Sequence, residues 1–285
     1  MNDDTARSSP DSQRRKSAGI VLLALAAAIA VVGVRHYYTF GVDWQATFYP
    51  ASQNWRDPYV IPTFTNPPWI LVLLPHALLG QEWGGAINLV LNVAVTGAII
   101  WRYKGGWQAL LLTFTSPVFF DLARTNNVDW IPALAFLVPA MWGLPLLAVK
   151  PQALGGAALV WWKRRGFSPL VFVPVVVVIG LSLVVWGFWP ERVGLVSSAR
   201  YWNFAPFPIG IPLGVYLLWR AYQAEDEILA AAATPFLMPY FAPYSLAPLL
   251  ALVACRYRRE AFYAYAGFWM FFVVENRRLG LLLAP

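Results

Sequence analysis

Few side chains in this sequence can do acid–base or ionic chemistry, and the most notable of them sit where apolar stretches break. Asp43 lies a few residues beyond an apolar stretch at 19–34. An ionisable group placed just outside a membrane span is a functional candidate by default. As a general base it would take a proton from an attacking hydroxyl, a contribution of about 10²–10⁴ in rate. The plainer alternatives are a solvated loop acid or a helix cap. Lys150 stands among Leu146, Leu147, Ala148 and Val149 on one side and Ala153 and Leu154 on the other. An ammonium that deep costs roughly 3 kcal/mol or more on insertion scales and needs an anion or water beside it. It reads either as a phosphate-binding lysine or as one that snorkels or caps carbonyls.

The remaining charges are weaker candidates. Asp121, Arg124 and Asp129 flank one polar turn, and the spacing of Asp121 and Arg124 lets them pair with each other. Arg192 and Arg200 fall in the loop 190–208, where a guanidinium can grip a phosphate bidentately or simply remain solvated. His36 and His76 are too isolated to suggest a metal site. The single cysteine, Cys255, excludes a disulfide within the chain. There is no GxxxxGK[ST], no HExxH, no glycine-rich dinucleotide fingerprint and no D-x-D, so a nucleotide-driven pump or a zinc protease is disfavoured and a nucleotide-sugar donor has no obvious anchor.

The elements that must position these groups follow from composition. Of 285 residues, 59% are hydrophobic and 12% charged, with a mean hydropathy of +0.54. A soluble domain carries roughly 25% charged residues, so the chain reads as an all-α, polytopic membrane bundle. Fifteen Trp and thirteen Tyr suit water–lipid interfaces. The net charge of +7 comes in short clusters between apolar runs (14–16, 102–104, 163–165, 256–259), the pattern of cytoplasmic loops rather than of a nucleic-acid stripe. Candidate spans lie near 18–34, 85–101, 107–120, 128–142, 168–189, 208–221, 228–242, 245–255 and 261–274, about eight to ten in all. Residues 1–17 form a polar, disordered cytoplasmic tail, and 18–285 form the membrane domain with an outward loop at 35–84. Placing the basic clusters inside requires two segments to dip and return: 67–79, with prolines near both ends, and 143–162, broken at Lys150-Pro151. Only Arg277-Arg278 then violates the rule. Irregular backbone at membrane depth must be buried in protein or line a wet cavity, so the breaks predict a cavity opening outward.

The loop 41–75 carries Asp43, Phe48-Tyr49-Pro50-Ala51, Pro58-Tyr59, Asn66-Pro67-Pro68 and Pro75 in that order. In these residues it resembles the integral-membrane glycosyltransferases of the GT-C type that use polyprenyl-phosphate sugars, nearest to glycosyltransferase family 87. Ser116-Pro117, Asn126-Asn127, Lys150-Pro151, Arg164-Arg165 and the proline–aromatic region 235–244 follow in the family's order. The Gly-Gln that the family carries in the turn with Asn126-Asn127, and its late His, are absent. The resemblance implies a mannose-like sugar on a polyprenyl phosphate as donor and a lipid, glycan or protein hydroxyl as acceptor, outside the plasma membrane, with inversion at the anomeric carbon. It makes Asp43 the general base. Lys150, with Arg200 or Arg124, would hold the leaving phosphate, and Tyr49, Tyr59, Asn66, Asn126 and Asn127 would line the pocket. No redox cofactor is implied, no nucleic acid is expected, and a metal is left open. The alternatives are a non-catalytic subunit that kept the fold, or a polyprenyl-lipid flippase.

Overall fold

Prolines and polar breaks decide where most helices of this chain start and stop. The computed structural model describes residues 25–37, 41–193 and 203–278, and among them there are helices and turns but no strands. The expected tail 1–17 and Arg200 lie outside the described residues. Helix α1 (Leu25–Tyr37) is apolar and exposed. Beyond it, a π-helical turn Trp44–Phe48 runs into α2 (Tyr49–Gln53). The segment at 67–79 forms two 3₁₀ turns, Pro68–Leu73 and Pro75–Leu79, each opened by proline. Leu74 between them has φ −111° and ψ 45°, outside the helical region that a following proline disfavours.

Helix α3 (Gln81–Arg102) is the longest described apolar element, and the site is built along it. The expected span 107–120 is two helices, α4 (Gly106–Phe114) and α5 (Pro117–Thr125). The break has a local cause: the Ser116 hydroxyl accepts from Phe119 N (3.2 Å) and Pro117 takes the first helical position. The expected span 128–142 is likewise divided, into α6 (Trp130–Leu134) and α7 (Ala140–Val149), with Pro139 between them. Helix α7 stops at Lys150, and α8 (Pro151–Leu154) and α9 (Ala157–Arg164) continue beyond the break.

The later helices are α10 (Val173–Trp186), the short α11 (Pro190–Val193), α12 (Ile211–Ala224), α13 (Glu227–Leu237), α14 (Leu246–Arg256) and α15 (Arg258–Arg278). Asp226 starts α13 by accepting from Ile228 N and Leu229 N at 3.0 and 3.1 Å. Helix α14 packs among α3, α4, α13 and α15, and α3 also packs on α6 and the Pro75–Leu79 turn. One continuous core joins Trp44, Phe48, Ile70, Leu74, Ile131 and Leu154.

Two stretches, Gln81–Arg102 and Pro169–Trp186, are long and apolar enough to cross a membrane. Helices Leu25–Tyr37, Ala140–Val149, Glu227–Leu237 and Pro243–Arg256 are apolar but shorter. Helix α10 leaves Val176, Leu181, Val184 and Val185 exposed, and α15 does the same with Phe262, Met270 and Phe271. Two of the basic clusters meet: Arg102, Arg164 and Arg165 line one cleft at the C-terminal ends of α3 and α9.

Candidate functional site

Asp43 sits at the start of the π-helical turn, and its position is set from two sides. Gly41 N donates to the Arg124 carbonyl (3.0 Å), fastening this strand of chain to the end of α5. The next residue, Trp44, is fully buried and its indole donates to the Gln81 carbonyl (2.9 Å). The indole lies against a helix face made of Gly84 and Gly85. A Cβ on Gly84 would stand 2.7 Å from the Trp44 ring and 2.9 Å from the His76 carbonyl, closer than real atoms approach. His76 stacks on the same ring at 5.1 Å. The glycine pair therefore lets α3 receive Trp44, and Trp44 places Asp43.

Asn127 joins the two halves of the site. Its amide nitrogen donates to Asp43 Oδ2 at 2.6 Å and to the Tyr244 hydroxyl at 3.1 Å. Its amide oxygen accepts from Lys150 Nζ at 2.9 Å. Lys150 is buried, and its ammonium also meets both oxygens of Asp129 (2.8 and 2.9 Å) and Ser245 Oγ (3.2 Å). The Tyr244 ring lies 4.8 Å from the same ammonium. Asp129 is wholly buried, so this is a dry, fully paired contact. Lys150 reaches it because Pro151 pushes Lys150 out of the helix, to φ −145° and ψ 68°.

Helix α3 supports the polar turn that carries Asn127. Asn126 ends α5 in the left-handed conformation (φ 53°), which asparagine tolerates. Asn88 donates to the Asn126 side chain and carbonyl (both 2.9 Å), and Asn92 donates to the Asn127 carbonyl (2.7 Å). Trp130 returns bonds to both, from its indole to Asn88 (2.8 Å) and from its backbone to Asn92 (3.0 Å). The two proline breaks are also tied together, since Asn66 donates to the Val149 carbonyl (3.3 Å) just before Lys150.

The structure thus brings Asp43, Asn127 and Lys150 into one network and gives the other expected site residues different work. Asn126 is a buried structural cap rather than a pocket residue. Asn66 is spent on the Val149 carbonyl, and Tyr59 donates to the Asn66 carbonyl (3.0 Å). Tyr49 is half-buried against the main core. Arg124 is about half exposed and pairs with Asp121 at 2.7 Å. Lys150 differs from the expectation of a free phosphate-binding charge, because Asp129 already neutralises it. Sequence reasoning passed over Asp129, Tyr244 and Ser245 as Lys150 partners, and Asn88 and Asn92 altogether. The last pair had a visible signal: two amides one helical turn apart inside an apolar stretch.

Burial sets the electrostatics of Asp43. Burial pushes the Asp43 carboxyl above its ordinary value; the Asn127 hydrogen bond, the Lys150 charge and the Tyr244 hydrogen bond pull it back, and the Asp129 charge adds to the rise. A raised carboxyl is a better proton acceptor once ionised, because basicity follows pKa. Among the described residues no three His, Cys, Asp or Glu side chains are grouped to hold a metal ion. No family model, curated protein or solved structure matches the chain.

Proposed function

We propose that the chain is a multi-spanning plasma-membrane glycosyltransferase of the GT-C kind, with its N-terminus in the cytoplasm. It would transfer a mannose-like sugar from a polyprenyl phosphate to a hydroxyl of a lipid, glycan or protein on the extracytoplasmic side. The observation that carries this reading is the convergence of Asn127, Tyr244 and Lys150, from separate stretches of sequence, around the carboxylate of Asp43. The exposed apolar faces of α10 and α15 support the membrane setting. The gathering of Arg102, Arg164 and Arg165 at one cleft supports the topology in which both proline breaks dip and return.

Asp43 takes the proton of the acceptor hydroxyl as that oxygen attacks the anomeric carbon. The carbon–oxygen bond to the phosphate breaks, polyprenyl phosphate leaves with the electron pair, and the new bond forms on the opposite face. Asn127 orients the base by holding one carboxylate oxygen. Lys150 holds Asn127 in turn, so it acts by positioning, with its charge balanced by Asp129. Arg124 is the described cation suited to meet the leaving phosphate. Its surface pair with Asp121 is worth about 0–1 kcal/mol, so it can be surrendered to a doubly charged ligand.

Purified protein in lipid nanodiscs, supplied with polyprenyl-phosphate mannose and a hydroxyl acceptor, tests the proposal. Transfer by the wild type and its loss in Asp43→Asn is the expected result. Equal turnover by the two would make Asp43 a structural loop acid. A second reading, a non-catalytic relative, is favoured by the Lys150–Asp129 pair, which spends the deepest cation among the described residues on the fold itself. No transfer by wild-type protein that is folded and membrane-inserted would support it.

A further inference from the structure

The cleft at the far ends of α3 and α9 has about 250 Å³ of volume and is lined by Arg102, Arg164, Arg165, Tyr103, Trp161 and Glu227. Its single lining carboxylate is fully engaged. Glu227 accepts from the Tyr103 hydroxyl (2.6 Å), the Trp161 indole (3.0 Å) and Arg164. Arg164 also donates to the Glu225 carbonyl, so its fork is committed to the wall. Arg102 and Arg165 are exposed, and their side chains have no hydrogen-bond or ion-pair partner among the described residues. Two guanidiniums facing one hollow, over a neutralised floor, form a receptor for a phosphate anion.

The rim says where that anion comes from. Trp101 and Trp107, on either side of the Arg102–Lys104 cluster, are exposed. So is Trp142, one turn from the Pro139-Ala140 wall of the cleft. Exposed tryptophans beside arginines mark the headgroup level of a bilayer. We infer that this cleft binds the phosphate headgroup of an anionic phospholipid, with Arg102 and Arg165 as its donors. Basic pockets between helices on the cytoplasmic side are suited to that chemistry. The inference rests on the membrane reading above but not on the transferase activity.

The test is thermal melting of the detergent-purified full chain titrated with phosphatidylglycerol, phosphatidylcholine or inorganic phosphate. Phosphatidylglycerol should raise the melting temperature saturably and phosphatidylcholine should not. In Arg102→Gln and Arg165→Gln the half-saturating lipid concentration should rise about tenfold to a hundredfold, the loss of one charge-assisted contact. Arg259→Gln, which removes an exposed charge of the 256–259 basic cluster outside the cleft, should behave as wild type. Equal loss in Arg259→Gln would mean diffuse surface charge and overturn the site. Stabilisation by inorganic phosphate alone would overturn the lipid assignment. Release of the chain from membranes by alkaline carbonate would bring down the membrane reading itself. Retention in the membrane with identical melting in both lipids would overturn only the cleft.

Discussion

The Asp43 end and the arginine cleft use polar residues in opposite ways. In the network next to Asp43 the charges are few and committed: buried Lys150 has Asp129 at 2.8 Å, and Asn127 bonds both Asp43 and Lys150. At the cleft the charges are many and largely exposed, and the side chains of two arginines have no hydrogen-bond or ion-pair partner among the described residues. Along α3, Asn88 and Arg102 are separated by about 21 Å at 1.5 Å per residue, so one helix carries both settings. Buried pairs convert small displacements into large energies, whereas exposed ones are softened by water. The first arrangement suits holding a reacting group still. The second suits catching a ligand.

The largest effect is expected at Asp43, the proposed base. Asp43→Asn should lower transfer by about 10²–10⁴ while leaving the fold intact, read by turnover and by melting temperature on the same preparation. The sign of its pH dependence follows from the raised carboxyl. The folded state holds the proton more tightly than the unfolded chain, whose value is near 3.8. That stabilisation is complete below 3.8 and is lost as pH rises through the folded pKa, so wild-type stability should fall across this window and the Asn variant should lack that fall. Transfer should rise over the same window as the base ionises.

Next comes the buried pair. Lys150→Met strands Asp129 and should destabilise by about 3–5 kcal/mol. Adding Asp129→Leu should recover most of that, since Asp129 caps no helix amide and both charges are then gone. A double variant no more stable than Lys150→Met would show that Lys150 contributes chiefly through Asn127 and Ser245.

Packing under the base should matter less. Gly84→Ala puts a methyl 2.7 Å from the Trp44 ring, an overpacking cost of about 1–3 kcal/mol. Because Trp44 carries Asp43, turnover should fall more than stability does. A variant with lower melting temperature and unchanged turnover would uncouple Trp44 from the site. The smallest effect belongs to the cleft: Arg164→Gln removes an ion pair whose arginine is 41% exposed and should change stability by about 1 kcal/mol or less. A loss as large as that of Lys150→Met would erase the contrast between the two ends.

Much of this was open to inspection in the primary structure. The breaks at Pro67-Pro68 and Lys150-Pro151 were legible because proline restricts itself and the residue before it, whatever surrounds them. The apolar stretches of α3 and α10 were legible from length and composition. The spans 107–120 and 128–142 were not, because hydropathy averages over Ser116-Pro117 and Pro139 while backbone geometry does not.

Composition, charge clustering and local proline chemistry therefore determined a helical chain, its principal breaks, and Asp43 and Lys150 as the groups to watch. Only the tertiary structure decided what those groups do. Asp129 is 21 residues from Lys150 in sequence and Ser245 is 95 away, and no local rule pairs them. Burial creates the demand for a partner, and packing alone selects which partner is within reach.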